Sequence, residues 1–131
     1  MAALSDAAEV LILNYLMTAE SVTRPTAWYV ALYTGAPSDA GGGTEVSGSG
    51  YSRKTVTWAV ASGTGGTTSN SNVPTWTASG GAFGTVTHIG IHSASSGSGN
   101  LLWHGAMTAS KVVNDGDTLE FAVGNIDLTI A

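Results

Sequence analysis

No cysteine occurs anywhere in the 131 residues. That excludes a disulfide framework, a thiolate nucleophile and a Cys-ligated metal. Positive charge is scarce: Arg24, Arg53, Lys54 and Lys111 stand against nine acidic residues, for a net charge of −5. Nucleic-acid binding usually shows a basic patch, and membrane-surface binding a basic amphipathic face, so neither partner is expected. Long apolar runs are also missing. The run 10–13 has four residues and the longest, 27–33, has seven, far short of the roughly 20 residues that span a bilayer. The N-terminal segment carries Asp6 and Glu9 rather than a positive region, so it does not read as a secretory signal. The expectation is a soluble protein made in the cytosol.

Charge of either sign is low, at 10% against the roughly 25% of ordinary soluble domains. Glycine is abundant instead, with 18 residues, beside 15 serines and 17 threonines. Such a composition suggests disorder only when hydrophobicity is low and charge is high. Here 43% of the chain is hydrophobic, which points to a folded, turn-rich β domain. The length suits one domain spanning 1–131, with a helical segment over 1–20 and a β-sandwich over 26–131.

One helix is expected. Ser5 is a plausible N-cap, with Asp6 and Glu9 near the positive end of the helix dipole. Ala8, Leu11, Ile12, Tyr15 and Leu16 fall on one stripe at helical spacing. Val10, Leu13 and Met17 widen the stripe, so the helix needs cover on more than one side. That cover is either its own sandwich or a neighbouring subunit.

Beyond Arg24-Pro25 the period changes. Segment 26–34 is rich in β-branched and aromatic residues and reads as a buried strand. A long glycine-rich loop over 35–50 follows. Segment 51–61 alternates, with Val56, Trp58 and Val60 on one side. A turn is expected at 62–66. Segment 67–77 reads as a polar edge strand containing Pro74. Segment 85–92 places Thr87, Ile89 and Ile91 on one face, and 101–109 is its expected hairpin partner. Asn114-Asp115-Gly116-Asp117 is a turn signal. Segment 118–123 is expected to bury Leu119, Phe121 and Val123, and the last strand Ile126, Leu128 and Ile130. The fold class is therefore mostly β: an antiparallel β-sandwich of seven to nine strands with one N-terminal α-helix.

No constellation points to chemistry, and the expected catalytic, cofactor-binding and metal residues are none. His88 and His92 share a strand face, but at about 3.3 Å per residue they stand about 13 Å apart, too far to hold one ion. His104 on the partner strand lacks a third ligand. Asp115, Asp117 and Glu120 resemble part of a calcium loop, but Glu120 comes too early, and a tight turn accounts for the same residues. Gly63-Thr64-Gly65-Gly66 lacks the lysine and following helix of a phosphate loop. Gly48-Ser49-Gly50 lies in a loop without a nucleophile-elbow helix. Trp28, Trp58, Trp76 and Trp103 lie on strand candidates. At least two should be core, and an exposed one would stack on a sugar or anchor an interface.

Ordered motifs cover most of the chain. Val30-Ala31-Leu32-Tyr33-Thr34 is followed by Pro37, by Gly43-Thr44-Glu45-Val46-Ser47-Gly48 and by Gly50-Tyr51-Ser52-Arg53. Later come the stretch 72–76, Phe83-Gly84-Thr85-Val86-Thr87-His88-Ile89-Gly90-Ile91, Leu101-Leu102-Trp103-His104-Gly105 and Gly116-Asp117-Thr118-Leu119-Glu120-Phe121. With the apolar helix before them, these resemble a tailed-bacteriophage virion surface module of the tail-fibre-like or capsid-decoration β-sandwich kind. Phe83 stands where the family usually shows Trp, and His92-Ser93 replaces an expected acid, so no role for that acid is carried over.

The resemblance implies a non-enzymatic structural protein on the outer surface of the virion, commonly a homotrimer. A capsid decoration (cement) protein bound to the major capsid protein is the first expectation. A tail-fibre or tailspike receptor-binding domain, with tail proteins or a host surface glycan as partners, is the alternative, and a carbohydrate-binding accessory module is a third. The shortness of the chain, with no shaft repeat, favours the head. Within the motifs, Glu45 and Arg53 are expected to pair across a loop with Tyr51 packed beneath; the other possibility is a direct subunit contact.

Overall fold

The computed structural model describes residues 2–63 and 65–130. Ten strands and one helix follow in the order β1 (Ala2–Leu4), α1 (Asp6–Met17), β2 (Tyr29–Gly35), β3 (Thr44–Glu45), β4 (Lys54–Thr55), β5 (Thr67–Ser69), β6 (Thr75–Thr77), β7 (Gly84–His92), β8 (Leu101–Val113), β9 (Thr118–Glu120) and β10 (Asp127–Thr129). Six of the strands form one sheet ordered β1-β8-β7-β2-β3, with β4 also pairing β2. Two antiparallel pairs, β5 with β10 and β6 with β9, complete the β structure.

The six-stranded sheet is antiparallel throughout, and β2, β7 and β8 are its spine. Residues directly opposite on antiparallel strands share a face. Val30 faces Ile91 and Leu32 faces Ile89, which sets the apolar face. Val30, Leu32 and Ile91 join Trp76 of β6, Leu119 of β9 and Leu128 of β10 in one core with Val56, Phe83, Val86 and Val113. The small pairs are thus the second layer of the sandwich. Cross-strand Trp76 and Leu119 are both buried while their neighbours are exposed, the period-2 pattern of a half-covered strand.

Several segments depart from the sequence pattern. Only Lys54–Thr55 of 51–61 pairs with β2. The chain then swings away, so that Ala59 N–H donates to the Ser69 carbonyl, and Val60 is 92% exposed. The polar segment 67–77 is two strands in different sheets, with Pro74 just before the second. Val123 is exposed because the chain turns after β9, where Gly124 N–H donates to the Asn70 carbonyl. Ile130 is also exposed, whereas Ile126 and Leu128 are buried. Of the turn expected at 62–66, Thr64 lies outside the described residues.

The helix begins where the sequence places it. Ser5 is extended, and its Oγ accepts from Ala8 N–H at 3.2 Å and donates to the Leu101 carbonyl at 2.6 Å. This one hydroxyl caps α1 and pins it to β8. The helix does not plug the sandwich, however. Ala8 is its only buried residue among those described, and Val10, Leu13, Tyr15, Leu16 and Met17 are all more than half exposed. No helix among the described residues is long and apolar enough to cross a membrane.

Candidate functional site

The second face of the large sheet is polar. Tyr33 of β2 stands opposite Glu45 of β3 on one side and His88 of β7 on the other, and Tyr29 opposite His92. Glu45, Tyr33, His88 and His92 therefore share that face, and Arg53, just before β4, reaches it. Gly43 sets up this edge. Its φ is +79°, and a side chain there would come within 2.7 Å of the Pro37 nitrogen. Only glycine lets the loop close against Pro37 and deliver Thr44 and Glu45 to β2.

Arg53 grips Glu45 with two parallel bonds, Nε to Oε1 and Nη2 to Oε2, each 2.8 Å. This fork geometry is the strong form of the ion pair. The Arg53 side chain is only 5% exposed and that of Glu45 27%. The Tyr51 hydroxyl donates to Glu45 Oε1 at 2.8 Å and accepts from Leu32 N–H at 3.0 Å, so it ties the pair to β2 from below. Arg53 also reaches the loop after β7. Nη1 donates to the Ala94 carbonyl and to Asn100 Oδ1, both at 3.1 Å, and Nη2 to the Gly97 carbonyl at 2.8 Å. The expected pairing of Glu45 and Arg53 over Tyr51 is present, and it extends further than the motif suggests.

The extension runs through Asn100 to His92 and Tyr33. The Asn100 amide nitrogen faces the carbonyls of Ser96, Gly97 and Ser98. Its oxygen lies 2.7 Å from His92 Nδ1. That oxygen can only accept, so Nδ1 of His92 carries the proton. The neutral ring then presents Nε2 as an acceptor, and the Tyr33 hydroxyl donates to it at 2.8 Å. Every polar group from Tyr51 to Tyr33 has a partner.

The electrostatics agree with a closed network. Burial pushes the Tyr51 phenol far up, with the Glu45 carboxylate adding to the effect. Burial would raise the Glu45 carboxyl, but hydrogen bonds from Arg53 and Tyr51 outweigh it and hold the group below its ordinary value. The bond to Glu45 raises Arg53. Burial, with the Arg53 charge, lowers His92, while burial raises Tyr33. The arrangement is a clamp that holds β2, β3, the 51–53 segment and the 93–100 loop together.

The remaining candidate residues disperse. His104 lies opposite Gly90 and bonds Asp39 Oδ1 at 2.8 Å through Nε2. Sequence spacing gave His104 no acid, because Asp39 sits 65 residues away. His88 contacts the Thr87 hydroxyl. Asp115 accepts from Gly80 N–H, Asp117 closes its own turn onto Asn114 N–H, and Glu120 lies beside Thr75 Oγ1. Among the described residues no three His, Asp or Glu groups gather as a metal site would require.

The structural roles of two asparagines were not legible in the sequence. Asn70, buried, donates to the Asn72 and Ala122 carbonyls and accepts from Ile126 N–H. Asn72 accepts from Thr57 N–H and donates to the Thr55 carbonyl, taking the place of a missing strand partner. Of the tryptophans, Trp76 is fully buried with its indole on the Ser52 carbonyl. Trp28, Trp58 and Trp103 are half-buried around an open cleft.

The family model described as "Podophage GP4 fiber I protein gp80" matches residues 3–129. No curated protein matches the chain. The family match spans nearly all of the chain and agrees with the resemblance to a tailed-phage virion module. The chain belongs to this gp80 family.

Proposed function

We propose that this gp80-family chain is a non-enzymatic structural protein on the outer surface of a tailed-phage virion, serving as a homo-oligomeric fibre module. The observation that carries the reading is the match of residues 3–129 to a family described as a fibre protein. That description favours the fibre over the head decoration that the shortness of the chain suggested. The geometry is consistent with a structural role. The polar face of the sheet is closed by mutual hydrogen bonds around Arg53, which rigidifies a surface rather than preparing a reaction.

The homo-oligomer rests on α1. Leu13, Tyr15, Leu16 and Met17 stand exposed on one short helix. Exposed apolar clusters of this kind mark contact surfaces. A second copy of the chain is the simplest cover, and the resemblance makes three copies the expected number.

Quantitative mass spectrometry of purified particles tests the location. A stoichiometry on the scale of the tail proteins supports the fibre role. One on the scale of the major capsid protein overturns it in favour of head decoration. Absence from particles removes the virion reading altogether.

A further inference from the structure

We propose that the cleft formed by Trp28, Trp58 and Trp103 is a binding site for a neutral carbohydrate ring. The cleft opens at one end of the core. Trp28 precedes β2, Trp103 on β8 faces Ile91 on β7, and Trp58 bridges to Asn70. Ile91 and Leu128, both buried, are part of its lining. Its volume is about 430 Å³, within the roughly 300–1,000 Å³ of small-molecule sites.

Three observations define the ligand chemistry. First, three indoles line one small space, and an indole carries the flat apolar face on which a sugar ring stacks. Second, no charged residue lines the cleft, so a phosphate or a sugar acid has no counter-charge there. Third, among the described residues the indole N–H groups of Trp28, Trp58 and Trp103 have no acceptor. Trp76, the fully buried indole, does have one. The best ligand therefore combines an apolar face with hydroxyl acceptors at its edge. A pyranose ring has both. The apolar side of a helix from a second copy would cover the same indoles but leave their donors unmatched, which disfavours it as the occupant.

The site itself does not depend on the virion reading. Only the source of the sugar, a host surface polysaccharide, rests on it. The test uses the full-length protein, a glycan array of neutral mono- to hexasaccharides, and quenching of tryptophan fluorescence by the best hit. Binding is expected, with Trp58→Ala weakening it by about tenfold or more, the loss of one stacking contact. Because Trp58→Ala risks the fold, Ala61→Arg is the second variant. Ala61 is an exposed lining residue, and an arginine there fills the mouth without removing core atoms. It is expected to abolish binding at unchanged circular dichroism and Tm. Tyr15→Ala, on the helix, is expected to bind as the wild type does.

No binding of any neutral sugar, or equal binding by the Ala61→Arg protein, overturns the proposal. Protection of the cleft by self-association, with no sugar competing, overturns it as well. Each outcome is read on isolated protein and leaves the particle stoichiometry to judge the virion reading separately.

Discussion

The Tyr33 phenol passes diagonally over Gly90 to donate to His92 Nε2 at 2.8 Å. Tyr33 stands directly opposite His88, not His92, so the ring must lean across the residue between them. A Cβ at position 90 would lie 2.9 Å from Tyr33 Cε2 and 2.9 Å from Leu101 Cδ1. The two rings run nearly parallel, 15° apart, with centroids separated by 6.3 Å.

Gly90→Ala is therefore expected to push the phenol off His92 and loosen the clamp. The cost is about 1–3 kcal/mol, the usual range for overpacking a filled interior. A fall in the midpoint of urea unfolding checks it; an unchanged midpoint would show that the Tyr33 ring moves aside freely.

Arg53→Leu removes the cation from a pair that also holds the 93–100 loop. Breaking a buried pair by deleting one partner costs roughly 3–5 kcal/mol. Because the Glu45 side chain is 27% exposed, about 3 kcal/mol or somewhat less is expected. Adding Glu45→Gln should recover part of the loss, since no carboxylate is then left without its counter-charge. Denaturant melts of the single and double variants give the comparison.

Stability should fall as the solution is acidified, in two stages. His92 is neutral in the fold, and burial, with the Arg53 charge, holds its pKa below the ordinary 6.5. The unfolded chain then takes up the proton first, so stability is complete above pH 6.5 and declines below it. Glu45 is held below its ordinary 4.5, because Arg53 and Tyr51 outweigh its burial. Its contribution is intact above pH 4.5 and is lost as the pH falls through its folded value. Thermal melts across this range check the shape. His92→Gln should erase the first stage and leave the second.

Leu16→Glu, on the exposed side of α1, is expected to convert the proposed homo-oligomer to a monomer without loss of β signal. Leu16 is 67% exposed in the single chain, so the substitution costs the isolated fold little. Light scattering of both proteins decides the matter. A wild-type protein that is already monomeric would remove α1 as an assembly face.

The sequence alone determined the class of fold and several of its turns. The alternation of β-branched and polar residues, the glycine and serine clusters and the Ser5 cap are local signals, and local steric and hydrogen-bond preferences act on them directly. The motif around Glu45, Tyr51 and Arg53 stood out through the resemblance, and its pairing was legible because its members lie within 8 residues of one another. The tertiary structure decided what depends on distant segments. It brought Asn100 and His92 to Arg53, Asp39 to His104, and Trp28, Trp58 and Trp103 to one cleft. It also left Val123 and Ile130 exposed, although their hydrophobicity had placed them inside, and Val60 and much of α1 without cover from the rest of the chain. A residue's period tells which side of its own strand it occupies. Whether anything covers that side depends on the path of the rest of the chain.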